Sequence, residues 1–137
     1  MKKTKQDGGG KLRADTQELE FLENIVRRLP EDTEVLRALA DLYTRTGDYA
    51  EGLRIDERLS HLCAEEPLVW YNLGCSLALM ERAEDALEAL SRSVELGYDD
   101  YEWMKKDTDL TSLHGDPRFE SMLEWIYNTF VQMPENG

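Results

Sequence analysis

Apolar residues recur through most of the chain at three- and four-residue spacing, the period of helices that bury one face. In the stretch 16–29 that face is Leu19, Leu22, Ile25 or Val26, and Leu29, and Pro30 ends the run. A second helix is predicted over 33–46, with Asp32 as N-cap and Leu36, Leu39, Ala40 and Tyr43 turned inward. Gly47-Asp48 makes a turn into a third helix, 49–64, that buries Leu53, Leu59 and Leu62. The fourth starts after Pro67 and ends near Met80; the fifth, 83–96, stops at Gly97. Beyond Gly97 the pattern loosens. A short helix is predicted within 98–106, then turns anchored by Leu110 and Leu113, then a final helix from Asp116-Pro117 to about Phe130. The prediction is an all-α chain of about five main helices plus a short one.

The pattern also repeats. Trp70, Leu73, Gly74, Leu77 and Ala86 stand 34 positions after Leu36, Leu39, Ala40, Tyr43 and Gly52. Close crossing of paired helices explains the small residues, and the leucines fill the space beside them. This spacing resembles the tetratricopeptide repeat, a helix–turn–helix unit with the pattern W-x2-L-G-x2-Y and a later Ala. The resemblance implies a right-handed α-α superhelix. A partial repeat would cover 16–32, full repeats 33–66 and 67–100, and a degenerate repeat with its cap 101–130, all within one domain. Asp56 departs from the usual aromatic, Leu77 from the Tyr, and Ala64 and Tyr98 from the closing Pro. The ending Asp107-Thr108-Asp109-Leu110, Leu113, Asp116-Pro117-Arg118-Phe119 is similar to segments that close such arrays in some bacterial members of the family.

Charge changes the picture at one end. Residues 1–15 hold five Lys or Arg against Asp7 and Asp15, a net of +3; the other 122 residues hold 11 basic and 27 acidic side chains, a net of −16. The polar, triple-glycine start is read as a disordered basic arm, because it offers too little apolar surface to offset ordering. The acidic body disfavours nucleic acid and anionic membranes as partners. No run approaches the roughly 20 apolar residues of a spanning helix. Cys63 and Cys75, without a CxxC motif, read as reduced packing thiols of a cytoplasmic protein. Residues 131–137 read as a short tail.

In the resembled family the first helix of each repeat lines a concave groove. That implies a floor of Leu68, Tyr71, Asn72 and Cys75, with Arg37 and Asp41 from the preceding repeat and Lys105 and Lys106 from the degenerate one. An apolar, aromatic floor with mixed charge at its ends suits a peptide better than a metabolite. One subclass of the family clamps a C-terminal carboxylate. Here Asn72 matches that clamp, Arg37 replaces its Lys and Lys106 its Arg, but Asp41 and Glu102 fall where Asn and Lys are expected, so like-charge repulsion argues against it. On the final helix Phe119, Met122, Leu123, Ile126 and Phe130 form one stripe; Trp125 and Tyr127 lie off it, either widening the capping contact or forming a second contact surface.

No catalytic constellation is apparent. His61 and His114 are isolated, Cys75 has no histidine nearby, and Asp99-Asp100 and the Asp107/Asp109 pair read as helix caps and solvated turns. No cofactor or metal is expected. The expected function is a non-catalytic scaffold or adaptor module holding a peptide segment of a protein partner. The alternative is a self-assembling, homo-oligomeric protein that uses the C-terminal helix and the open N-terminal end, with a weak homodimer as its simplest form.

Overall fold

A computed structural model describes residues 2–132, with side chains from Asp15 onward. It is helical, with no strand among the described residues. The elements are α1 (Lys2–Arg28), α2 (Thr33–Arg45), α3 (Tyr49–Leu62), α4 (Pro67–Leu79), α5 (Ala83–Glu95), α6 (Tyr101–Lys106), a 3-10 helix (Thr108–Leu113), α7 (Pro117–Ile126) and a π-helical turn (Tyr127–Val131). They group into two compact units, Met1–Leu62 and Cys63–Gly137. No helix among the described residues is long and apolar enough to cross a membrane.

In the first unit α1 begins far upstream of the expected start near Thr16, so the stretch read as a basic arm has helical backbone from Lys2. The side chains of 1–14 lie outside the described residues, as does the tail 133–137. Leu22 is the buried member of the α1 stripe; Leu29 falls beyond the helix end and is 52 % exposed, contrary to expectation. Asp32 caps α2 as its position predicts, one carboxylate oxygen accepting from the Glu34 and Val35 amides at 3.1 and 3.2 Å. The α2 stripe of Leu36, Leu39, Ala40 and Tyr43 is buried, and Leu42 joins it. The Tyr43 hydroxyl donates to Glu23 of α1, and burial of the ring pushes its pKa up. In α3, Leu53 and Leu59 are buried, but Leu62 is the last helical residue and is exposed.

The second unit reproduces the α2–α3 hairpin at an offset of 34 residues: α4 starts 34 after α2, and α5 starts 34 after α3. The close crossings correspond. A Cβ on Gly52 would meet the Thr44 hydroxyl at 3.0 Å and the Ala40 carbonyl at 3.6 Å; one on Gly74 would meet Leu90 at 2.7 Å and the Ala86 carbonyl at 3.4 Å. The turns correspond too. The Asp48 amide donates to the Tyr43 carbonyl at 2.8 Å, and the Arg82 amide donates to the Leu77 carbonyl at 3.0 Å. Gly47 takes φ +88° in the first turn, whereas the second puts Glu81 at φ +57°, a left-handed conformation that side chains resist.

The chain beyond α5 folds back over α4. Gly97, with φ +116°, ends α5, and the Asp100 carboxylate caps α6 through the Trp103 amide at 3.1 Å. Leu110 and Leu113 of the 3-10 helix are fully buried, as expected, and the Ser112 hydroxyl donates to the Ala78 carbonyl of α4 at 3.1 Å. Asp116 caps α7 through the Arg118 amide, and Pro117 occupies its first turn. Phe119 and Ile126 are fully buried and Leu123 nearly so, but Met122 is half-buried and Phe130 exposed. Arg118 of α7 pairs with Glu84 of α5 and with Asp116. Those bonds hold the Asp116 carboxyl down at about 2.

Candidate functional site: a recess between α4 and α6

α4 differs from its counterpart α2 in being buried nearly all round. Val69, Tyr71, Leu73, Gly74, Cys75, Ser76, Leu77 and Ala78 are all inaccessible. A helix covered on one side only would show a single apolar stripe; α5 packs on one side of α4 and the 3-10 helix on another. Two expected groove residues are corrected by this arrangement. Tyr71 is 3 % exposed and Cys75 6 %, so neither presents a side chain for binding. Their groove-ward face is occupied by the closing segment of the same chain.

The contact that closes it is polar. Asp107, expected from sequence as a helix cap or in a solvated turn, caps the 3-10 helix but is buried rather than solvated. Its carboxylate accepts from the Tyr71 hydroxyl at 2.6 Å and the Cys75 thiol at 3.6 Å on one oxygen, and from the Asp109 amide at 3.0 Å on the other. Burial drives the pKa of both Tyr71 and Cys75 upward, so each stays protonated and can donate. Ligand-type atoms of Cys75, Asp107 and Asp109 lie within 4.8 Å of one another. Their chemistry is that of a lock: a buried carboxylate satisfied by donors from α4 pins the closing segment in place. Tyr71 also stacks on Tyr98, with ring centroids 4.4 Å apart and 5° between planes. The Tyr98 hydroxyl is buried, and no group among the described residues has hydrogen-bonding geometry to it.

Beside this stack lies an open recess of about 380 Å³. Pro67, Leu68, Asn72, Asp99, Asp100 and Trp103 line it, and Tyr71 and Tyr98 form part of its wall. Leu68 is 59 % and Trp103 51 % exposed, and Asn72 is exposed. Leu68 and Asn72 are thus accessible, one helical turn apart at the start of α4. Tyr98, Asp99, Asp100 and Trp103 lie outside the groove expected from sequence; of the two aspartates expected as caps or in turns, Asp100 is a cap. The available signal was Trp103 itself, a large aromatic on a six-residue helix too short to need it in a core.

The other anticipated residues lie elsewhere. Arg37 and Asp41 belong to the first unit, where Asp41 pairs with Arg45 at 3.0 Å. Lys105 stands over the Tyr101 ring, 5.6 Å from its centroid, and borders a separate hollow with His114, Glu120 and Tyr127. Lys106 is exposed and is not among the recess residues. Trp125 is 51 % exposed, meets Phe130 edge-on at 5.9 Å, and borders a shallow hollow of about 390 Å³ with Val94 and Met122. Tyr127 tilts against Tyr101 at 5.1 Å.

No protein-family model matches the chain. Among curated proteins it is similar to a chloroplastic protein of Arabidopsis thaliana, with 24% identity over 95 residues. The match takes in 65% of this chain and 28% of that protein, so the chain spans less than a third of that relative's length.

Proposed function

We propose that this protein is a non-catalytic binding module of the tetratricopeptide-repeat type, a right-handed α-α superhelix that holds a peptide segment of a protein partner. The 34-residue equivalence of helices, close crossings and turns supports the repeat reading. The binding reading is carried by one observation: Leu68 and Trp103, large apolar side chains left more than half exposed, face one recess walled by a rigid tyrosine stack. Exposed aromatics beside a fixed hollow are the anchors of peptide sites. The site contracts from the groove expected over two full repeats and the degenerate one to the start of α4 and α6. Two cysteines not joined in a disulfide, one of them buried, suit a reducing, cytoplasmic setting.

The test is comparative capture. Wild-type protein, Leu68→Asp, Trp103→Ala and Arg37→Glu are used as baits, and partners are identified by mass spectrometry. Leu68→Asp and Trp103→Ala should lose the same specific partner while Arg37→Glu retains it; identical partner sets for all four baits would refute the recess as the site. Self-assembly is the second reading, favoured by exposed Trp125 beside the Val94 and Met122 hollow. Light scattering decides it: a concentration-independent monomer mass, unchanged in Trp125→Ala, excludes it.

A further inference from the structure

The recess between α4 and α6 carries charge of one sign. Asp99 and Asp100 both line it, and one oxygen of Asp100 is engaged by the Trp103 amide. Around them the unit 63–137 holds five Lys or Arg against sixteen Asp or Glu, a net of −11. Four of those cations are committed elsewhere: Arg82 to Asp85, Arg92 to Glu95, Arg118 to Glu84 and Asp116, and Lys105 to the Tyr101 ring. None of the lining residues is basic. An apolar and aromatic hollow edged by two carboxylates lacks a cation with an apolar stem.

We propose that the recess takes an arginine side chain of a partner segment, a reading that rests on the recess being the binding site. The guanidinium meets Asp99 and Asp100, its methylene stem lies along Leu68, and its flat face stacks on Trp103. Arginine suits this better than lysine, because a planar fork can bond two carboxylate oxygens and stack on an indole at once, whereas an ammonium is a strongly hydrated point charge. Asn72, at the same rim, has both a donor and an acceptor for the partner's backbone.

The experiment is an NMR titration of the full ¹⁵N-labelled chain, read at the Trp103 indole N–H and the amides of 99–103. The probes are four blocked peptides, alike except for arginine, lysine, leucine or glutamate at the centre. The arginine peptide should shift these signals saturably, at least fivefold more tightly than the lysine peptide and tenfold more tightly than the leucine one. The double variant Asp99→Asn/Asp100→Asn, in which asparagine preserves the α6 cap, should weaken it tenfold or more. Removing two exposed charges elsewhere, Glu65→Gln/Glu88→Gln, should change it less than twofold. Equal losses from the two pairs would mean diffuse attraction and would overturn the proposal. If the leucine peptide moves Trp103 as tightly as the arginine peptide, the arginine specificity fails and the recess stands. If no peptide moves Trp103, the recess fails with it.

Discussion

Tyr71 and Tyr98 are stacked, both buried and chemically identical, yet removing their hydroxyls should have unequal effects. Tyr71→Phe keeps the ring, its 4.4 Å stack and the volume, and deletes only the donor 2.6 Å from the Asp107 carboxylate. A bond to an ionised acceptor is worth about 1.5–3 kcal/mol, and the Cys75 thiol at 3.6 Å cannot replace it. The expected loss is about 2 kcal/mol. With a urea m-value of roughly 1–1.5 kcal/mol/M for a unit of this size, the midpoint should fall by about 1.5 M. Tyr98→Phe deletes a buried hydroxyl that has no hydrogen-bond partner among the described residues. Relief of its desolvation should leave stability unchanged or raise it by about 1 kcal/mol. Urea unfolding followed by circular dichroism and tryptophan emission measures both. Hydrogen exchange adds location: Tyr71→Phe should speed exchange most in 108–113. Equal effects of the two substitutions, or a Tyr71→Phe loss below about 0.5 kcal/mol, would refute the polar lock.

Three further substitutions test the geometry around it. Gly74→Ala gains about 1 kcal/mol of helix propensity but drives a Cβ to 2.7 Å from the fully buried Leu90, an overpacking cost of about 1–3 kcal/mol. A net loss of about 1 kcal/mol is expected in urea unfolding, partly relieved when Leu90→Val is added; a stabilised single variant would contradict the close crossing. Glu81→Gly releases a left-handed strain of about 1–2 kcal/mol and gives back about 0.4–1 kcal/mol through the unfolded chain, so a rise in Tm is expected, and a fall would show that the φ of +57° is not strained. The Asp116 carboxyl is held at about 2, below its unfolded value, by bonds to Arg118. Its contribution is present above the unfolded value of about 3.9 and disappears as pH falls through about 2. The Tm difference between wild type and Asp116→Asn should therefore close over that window; a difference independent of pH would remove the charge from the account.

Helix positions were legible because a one-sided apolar stripe with a cap at its head is a local signal, as at Asp32–Tyr43 and Asp116–Ile126. Burial of Tyr71, Cys75 and Asp107 was not, because it depends on a segment more than 30 residues away folding back over α4. Read alone, α4 has a second apolar face that could serve a ligand or the chain itself, and periodicity cannot separate the two. The α4 sequence does carry a hint, being apolar on nearly every side, which signals a helix covered from more than one direction. The exposure of Trp103 is not legible for a related reason. On a short helix its exposure is set by how α6 sits against α4, and no spacing rule encodes that.

Placement of a ligand at Leu68 and Trp103 is the central claim, and site-specific photocrosslinking tests it most directly. A benzophenone amino acid is introduced at exposed Leu68 and, as a control, at exposed Glu88 on α5, and each protein is irradiated in the cell. A discrete adduct at position 68 that is absent at 88 and lost on adding Trp103→Ala is the predicted result. The same adducts from both positions, or none from 68 while 88 yields one, would contradict the account.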